Sequence, residues 1–396
     1  MPSKTEKQAS SSHLRPGLLE DMTTVTVSYH GRTVGTIAQA SPRQPTYFQY
    51  APSWINHGFA ISPFSLPLSS QVFRADPSRF SNLIPIFDDS LPDDWGRLLV
   101  ERRLAAAGIE SRFLSPLARL ALVGKDGMGA LEYSPAVQLP AQVEGIDYDL
   151  LASRCQELIN DKNPEGLDEL YAFGSSSGGA RPKVMVDIDR EPWIVKFPAP
   201  GDASTSGAEE ERLSHLAAAC GIRVPQTMLI PSNLGDGYFA SKRFDRRQSA
   251  SGTSEKVHMA SAAALLEASP FDEGLDYCDL MKLTLRLTGS IADCEQLFLV
   301  MCFNVEVGNC DDHFRNFSYL YDEMRAEWHL SPAYDITRSP GFLGEHATLV
   351  NGRGAGIRDA DLLAAASCGG LKERRARALL ERVRDTVRRN MESQPN

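Results

Sequence analysis

The stretch Gly308-Asn309-Cys310-Asp311-Asp312-His313-Phe314-Arg315-Asn316 places a carboxylate and, five residues on, a carboxamide in one loop. An apolar helical run precedes this loop. Two short strands follow it, read as Phe317 to Tyr321 and Trp328 to Leu330, and Pro332-Ala333-Tyr334-Asp335 then brings a second carboxylate. Transfer of a phosphoryl group to a hydroxyl uses such a set: one carboxylate orients the acceptor hydroxyl, while an amide and another carboxylate hold Mg²⁺ against the phosphates. Asp311, Asn316 and Asp335 have the spacing for these parts. Asp and Asn also form loops through their side-chain caps, so the motif alone is a weak marker. Its place between a helix and a hairpin favours the catalytic reading. A metal-hydrolase reading of Asp311, Asp312 and His313 lacks a nearby His or acid cluster to complete a ligand set.

A second chemical segment is the loop Phe173-Gly174-Ser175-Ser176-Ser177-Gly178-Gly179-Ala180-Arg181-Pro182-Lys183. It contains a literal G-x-S-x-G, but a nucleophile elbow needs a strand before the serine and a helix after it. Here a helical Leu167 to Tyr171 precedes and the strand Val184 to Ile188 follows, so the elbow fails on context. A Walker loop fails too, because no G-K-[S/T] follows the glycines. What remains is a glycine-permissive loop opening a strand, with Arg181 and Lys183 beside it; backbone amides plus a cation suit the phosphates of a nucleotide. The bland alternative is a surface linker. Lys196, near the end of the strand Trp193 to Phe197, needs a partner if it points inward. The following helix opens with Glu209-Glu210-Glu211, which offers a strand-lysine to helix-glutamate pair. The same three acids also make a favourable first turn for the helix dipole, and both roles are compatible.

Around these segments the chain reads as an ordered series. Residues 1–21 are Ser-, Lys- and Gln-containing with little to bury, and are expected to be disordered. Thr24 to Tyr29 and Thr33 to Ile37 flank His30-Gly31-Arg32 as a hairpin, and the helical pattern from Asp93 to Ala107 follows Phe87-Asp88-Asp89-Ser90-Leu91-Pro92. Helix Tyr148 to Leu158, strands 184–188 and 193–197, helix Ala208 to Cys220 and strands 227–230 and 238–243 make a β-rich unit. Five helical runs complete the chain: 259–266, 281–287, 294–303, 359–366 and 371–389. The expected fold class is α+β: a bilobal protein-kinase-like pair of lobes plus a small N-terminal α/β domain. Its expected parts are 22–128, a β-rich lobe 129–247 and a helical lobe 248–396.

Composition sets limits. The 396 residues carry 41 basic and 51 acidic side chains, a formal charge of −10, which argues against whole-surface binding to nucleic acid or anionic membrane. No apolar run reaches the length of a membrane span. The N-terminus lacks a secretory core, and the seven cysteines include no CxxC pair, so they read as reduced thiols of a cytoplasmic protein.

Four motifs together resemble the HipA family of serine/threonine kinases, the toxin halves of bacterial type II toxin–antitoxin pairs. They are FDDSLPDDWGR at Phe87 to Arg97, SSGGARPK at Ser176 to Lys183, Arg243-Phe244-Asp245-Arg246, and GNCDDHFRNFS at Gly308 to Ser318. The resemblance covers about residues 22 to 390. It implies ATP and Mg²⁺ as cofactors, Asp311 as catalytic aspartate with His313 beside it near the phosphates, and Asn316 and Asp335 as Mg²⁺ ligands. It further implies Ser176, Ser177, Gly178, Gly179 and Lys183 in the phosphate loop, Lys196 on the α/β-phosphates, and Lys242 to Phe244 as the hinge offering its backbone to adenine. Glu210 is the expected partner of Lys196, since it shares a helix face with Leu213 and Ala217. Arg315 stands where the family more often has lysine, conservative in charge though not in geometry.

The implied substrate is a protein of translation, an aminoacyl-tRNA synthetase such as glutamyl-tRNA synthetase. The implied partner is a HipB-like helix-turn-helix antitoxin, through which alone DNA would be reached; no membrane is implied. Alternatives are a non-catalytic co-repressor module or a small-molecule kinase on the same scaffold. The basic run Lys372 to Arg389 carries an apolar stripe and reads as a solvated helix packed on the lower lobe. The resemblance also implies autophosphorylation in the loop, at Ser176 or its neighbours Ser175 and Ser177. After incubation with ATP, mass spectrometry is expected to find phosphate on one of these three serines; phosphate only elsewhere would remove the loop switch.

Overall fold

The computed structural model describes residues 19, 21–137, 146–160, 166–175, 178–248, 252, 254–269 and 272–392. Ser176, Ser177 and nearly all of the expected N-terminal tail lie outside the described residues. The first unit is an antiparallel sheet in the order β4-β3-β2-β1-β5. Its strands are β1 (Thr24–Tyr29), β2 (Arg32–Ala38), β3 (Tyr47–Tyr50), β4 (Val72–Arg74) and β5 (Leu131–Ser134). Alternation along β1 buries Val25, Val27 and Tyr29 on one face. The strand that completes this sheet, β5, lies beyond residue 128 and pairs with β1 from Thr26↔Ser134 to Tyr29↔Leu131. Helices α1 (Pro52–His57), α2 (Pro85–Asp88), α3 (Asp94–Ala106) and α4 (Pro116–Val123) cover it or extend from it.

Helix α3 leaves that unit and enters the next. Its Trp95 and Leu99 are buried in a second core with Leu151, Cys155, Leu170, Val184, Val195 and Phe197. These residues come from α5 (Tyr148–Ile159), α6 (Leu167–Gly174) and a four-stranded sheet in the order β6-β7-β9-β8. The strands are β6 (Lys183–Ile188), β7 (Glu191–Lys196), β8 (Thr227–Ile230) and β9 (Tyr238–Lys242), and α7 (Ser206–Ala219) packs on β8 and β9. Gly174 ends α6 where only a hydrogen fits: a Cβ there would sit 2.7 Å from Leu99 and 2.9 Å from the Lys183 carbonyl.

A short ribbon, β10 (Arg246–Gln248) with β11 (Ser254–Lys256), leads to the helical lobe. The run 259–266, expected as one helix, is instead strand β12 (Met259–Ser261) followed by the single-turn α8 (Ala262–Leu265). Short apolar runs do not distinguish the two states. Here pairing of β12 with β13 (Ser318–Asp322) decides it, and the Ser261 hydroxyl starts the turn by accepting from the Ala264 N–H. Strand β14 (Glu327–Leu330) completes that sheet. Helices α9 (Tyr277–Thr288), α10 (Ile291–Val307), α11 (Asp359–Cys368) and α12 (Glu373–Glu392) form the rest. Helix α10 is apolar nearly all round and is accordingly the buried axis of the lobe. The helix α12 buries Ala376, Leu379, Leu380, Val383 and Val387, while Arg375 and Arg384 pair with Glu295, Glu306 and Asp359.

The expectation of seven reduced thiols is corrected as well. Cys278 on α9 and Cys368 at the end of α11 form a disulfide across a separation of 90 residues, with Cα atoms 5.4 Å apart. Packing of α9 on α11 brings them together, and no spacing rule in sequence shows it. Cys155, Cys220, Cys294, Cys302 and Cys310 are free and buried. The denatured, unreduced protein is therefore expected to titrate as five thiols and, after reduction, as seven; seven from the outset would show that the pair is open.

Candidate active site

Strands β6 and β7 set Lys183 directly opposite Lys196 in their register. Both side chains are nearly out of solvent, and like charges facing each other across a ladder are unfavourable unless anions lie against them. Glu210 on α7 and Asp335 after β14 supply the anions: the Lys196 Nζ donates to Glu210 Oε1 and Asp335 Oδ1, each at 2.5 Å. Burial alone would depress the Lys196 ammonium, but Asp335 and Glu210 outweigh it and hold it above its ordinary range. In return Lys196, followed by Lys183, keeps the Asp335 carboxyl well below the usual carboxylate range, despite burial. Burial pushes Glu210 up and Lys183 down. Lys183 turns its ammonium back onto its own loop, donating to the Gly178 carbonyl at 2.6 Å. Asp335 adopts φ +57°, a left-handed backbone that a non-glycine residue holds only where its surroundings enforce it.

The second half of the site begins where α10 stops. Gly308 takes φ +73° and lets the chain reverse after Val307. Asp311 then projects with its side chain exposed, and the Asn316 carboxamide folds back to donate to the Asp311 carbonyl at 2.7 Å. His313 Nε2 lies 3.9 Å from Asp311 Oδ1. Asn316, Tyr334 and Asp335 line one small pocket with Asn309 and Asp312. Among the described residues no group of three His, Cys, Asp or Glu side chains could hold a metal by itself. The oxygen donors of Asn316 and Asp335 instead suit a hard cation such as Mg²⁺, which takes one or two protein ligands and fills its shell with phosphate and water.

Other expected residues are placed differently. Arg181 pairs with Asp202 at 3.3 Å. The Lys242 ammonium meets Glu191 at 2.6 Å, and its N–H donates to the Gln226 carbonyl. The Arg243 N–H donates to the Pro192 carbonyl, so neither of these hinge amides is offered to a base. Phe244 lies against Tyr334 with ring centroids 5.3 Å apart. Arg243 and Arg246 instead converge on the fully buried Asp245, which also accepts from the Gly129 N–H. That cluster ties the ribbon to the first unit.

Two features were not drawn from the sequence. Asp312, weighed there only as a metal ligand, is buried and supports the loop. It accepts from the Tyr277 hydroxyl at 2.8 Å and the Thr348 N–H at 3.2 Å, and His346 Nδ1 lies 2.8 Å away. The acidic turn 88–93, quoted only as a family marker, reaches into the site: Asp88 and Asp93 both hold Arg315. No local signal connects either residue with its partners. The acids of the turn and the loop that they meet were both legible, but only as separate motifs.

Known domains match almost the whole arrangement. The HipA-like C-terminal domain matches residues 175–391, and the HipA N-terminal domain matches 25–134. The chain belongs to the HipA family. Among curated relatives of this HipA-family chain is a Sinorhizobium fredii protein named "Putative kinase Y4mE", 27% identical in an alignment of 354 residues that covers 80% of this chain and 77% of that protein. A second from the same organism, "Putative kinase Y4dM", is 28% identical over 197 residues, 46% of each. The fold is that of a chain in the Shewanella oneidensis MR-1 toxin–antitoxin complex of HipA, HipB and operator DNA. The TM-score is 0.69 at 17% identity, covering 94% of this chain and 92% of that one.

Removing the central cation should expose its importance to the fold. Lys196→Met leaves Glu210 and Asp335 buried without a shared counter-charge and is expected to cost about 3 kcal/mol. Chemical denaturation measures it; an unchanged midpoint would show that the triad carries no stability.

Proposed function

We propose that this HipA-family chain is a protein serine/threonine kinase that uses ATP and Mg²⁺. The observation that carries the proposal is the convergence of Lys183, Lys196, Glu210 and Asp335 beside the Asp311–Asn316 loop. Two buried lysines give the α- and β-phosphates of ATP a cationic floor, and the loop of Gly178, whose carbonyl accepts from Lys183, lies beside it. Asp335 and Asn316 would hold Mg²⁺, which would supply charge neutralisation to the phosphates. Asp311, exposed at the mouth, orients the acceptor hydroxyl and takes its proton as the hydroxyl oxygen bonds to the γ-phosphorus. The bond from phosphorus to the β-bridging oxygen breaks, and ADP leaves with the electron pair. Glu210 keeps Lys196 aimed at the phosphates when Asp335 turns to the metal.

The family supports finer proposals. The target is a protein of translation, an aminoacyl-tRNA synthetase of the glutamyl type, and serine phosphorylation in the loop at Ser175, Ser176 or Ser177 switches the enzyme off. The relative solved with HipB and operator DNA supports a HipB-like antitoxin as partner, with DNA reached through it. Among the described residues no helix is long and apolar enough to cross a membrane, and the cytoplasm is the proposed place of action. Asp311→Asn is expected to abolish incorporation of ³²P from labelled ATP. Persistent labelling by that variant would overturn the assignment of Asp311.

A further inference from the structure

The turn Asp88-Asp89-Ser90-Leu91-Pro92-Asp93 belongs to the N-terminal unit, yet its three acids all point out of it. Asp89 accepts from the N–H and the hydroxyl of Ser261, both at 2.7 Å, where the chain enters the helical lobe. Asp88 accepts from Arg315 Nη2 at 2.6 Å, and Asp93 pairs with Nη1 of the same guanidinium. The other oxygen of Asp93 accepts the Gly179 N–H at 2.9 Å. Two residues on, Trp95 donates its indole N–H to the Lys183 carbonyl at 2.9 Å. One carboxylate thus touches both halves of the site: Gly179 in the phosphate loop and Arg315 in the loop of Asp311 and Asn316.

We propose that Asp93 is a latch: a positioning residue through which the N-terminal unit sets the spacing of the phosphate loop and the catalytic loop. The proposal deepens the kinase reading and rests on it. The Arg315 backbone is fixed from the opposite side, since its carbonyl accepts from the Tyr334 hydroxyl at 2.6 Å, one residue before Asp335. Movement of Asp93 is therefore passed to the Asp311–Asn316 loop and to the Tyr334-Asp335 segment together. The geometry also explains why arginine stands at 315. Only a planar fork can meet Asp88 and Asp93 with separate nitrogens, whereas a lysine ammonium is a single point.

Three variants of the full chain separate the arms. In Asp93→Asn the amide oxygen still accepts from Gly179 while the charge pair with Arg315 is gone. Asp93→Ala removes both arms, and Arg315→Lys removes the fork. Steady-state turnover of ATP is expected to show kcat about 100-fold lower for Asp93→Asn, because a catalytic loop displaced by about 1 Å costs that much. Its KM for ATP and its thermal midpoint are expected to stay near wild type. Asp93→Ala is expected to raise KM for ATP as well. Arg315→Lys is expected to lower kcat, and adding Asp93→Asn to it should cost far less than the product of the two losses. Unchanged kcat in Asp93→Asn overturns the latch, and so do multiplicative losses or a fall in thermal midpoint that accounts for the lost activity. If the wild-type chain turns over no ATP, the kinase reading fails instead. Hydrogen exchange then decides the latch: faster exchange of the amides at 178–183 and 309–316 in Asp93→Ala supports it, and unchanged exchange overturns it.

Discussion

Two positive charges held side by side inside a protein form the constraint from which the rest of this structure follows. Lys183 and Lys196 face each other on adjacent strands, and water cannot neutralise them. Segments from both lobes answer that problem. Helix α7 brings Glu210, the segment after β14 brings Asp335 in a left-handed turn, and Gly178 offers its carbonyl. A charge arrangement of this kind is expensive when incomplete, because each unpaired ion is buried. The same cations that need protein carboxylates in the free enzyme are those that polyphosphate would meet. In the proposed kinase Asp335 is the member that would exchange partners, since Glu210 also pairs with Lys196.

The Asp311–Asn316 loop is held in a different way. Its Phe314 is buried in the core of the lobe, and hydrogen bonds behind Asp312 fix the rest of its shape. Asp312 collects Tyr277, His346 and Thr348, and Asn304 extends the network from α10 to Tyr277 and Asn309. Buried carboxylates with several donors are held in a single geometry. Asp311, next in sequence, is consequently presented outward with its backbone already fixed. Burial of one aspartate secures the exposure of its neighbour.

Much of this was legible in sequence because it is local. The first hairpin and the four strands around Lys183 and Lys196 were read from their short β-rich runs, and a glycine after Val307 marked the start of the loop. Lys196 and Glu210 lie on consecutive elements, so the charge of one and the helix face of the other were enough to pair them. Four features were not legible, each for a physical reason. The start of the run 259–266 becomes a strand through pairing with residues 318–320, which a short apolar window cannot foresee. Cys278 meets Cys368 only because two helices pack. The amides of Lys242 and Arg243 are engaged by carbonyls of neighbouring segments. Asp312 and the 88–93 turn act through residues distant in the chain, and their sequence neighbourhood carries no trace of it.

The ion pairs of Arg315 span 227 residues to Asp88 and 222 to Asp93. A ribosome that adds roughly 5–20 residues per second makes the acidic turn some 10–45 s before its guanidinium partner exists. During that interval the upper lobe can fold and gather its lysines, but the carboxylates of the turn have nothing to grip. Asp311, Asn316 and Asp335 are not yet synthesised. A translation stall or premature stop upstream of them releases an inert polypeptide. In the proposed kinase, competence therefore comes only once residue 335 has been made, and biosynthetic order acts as a timer on it.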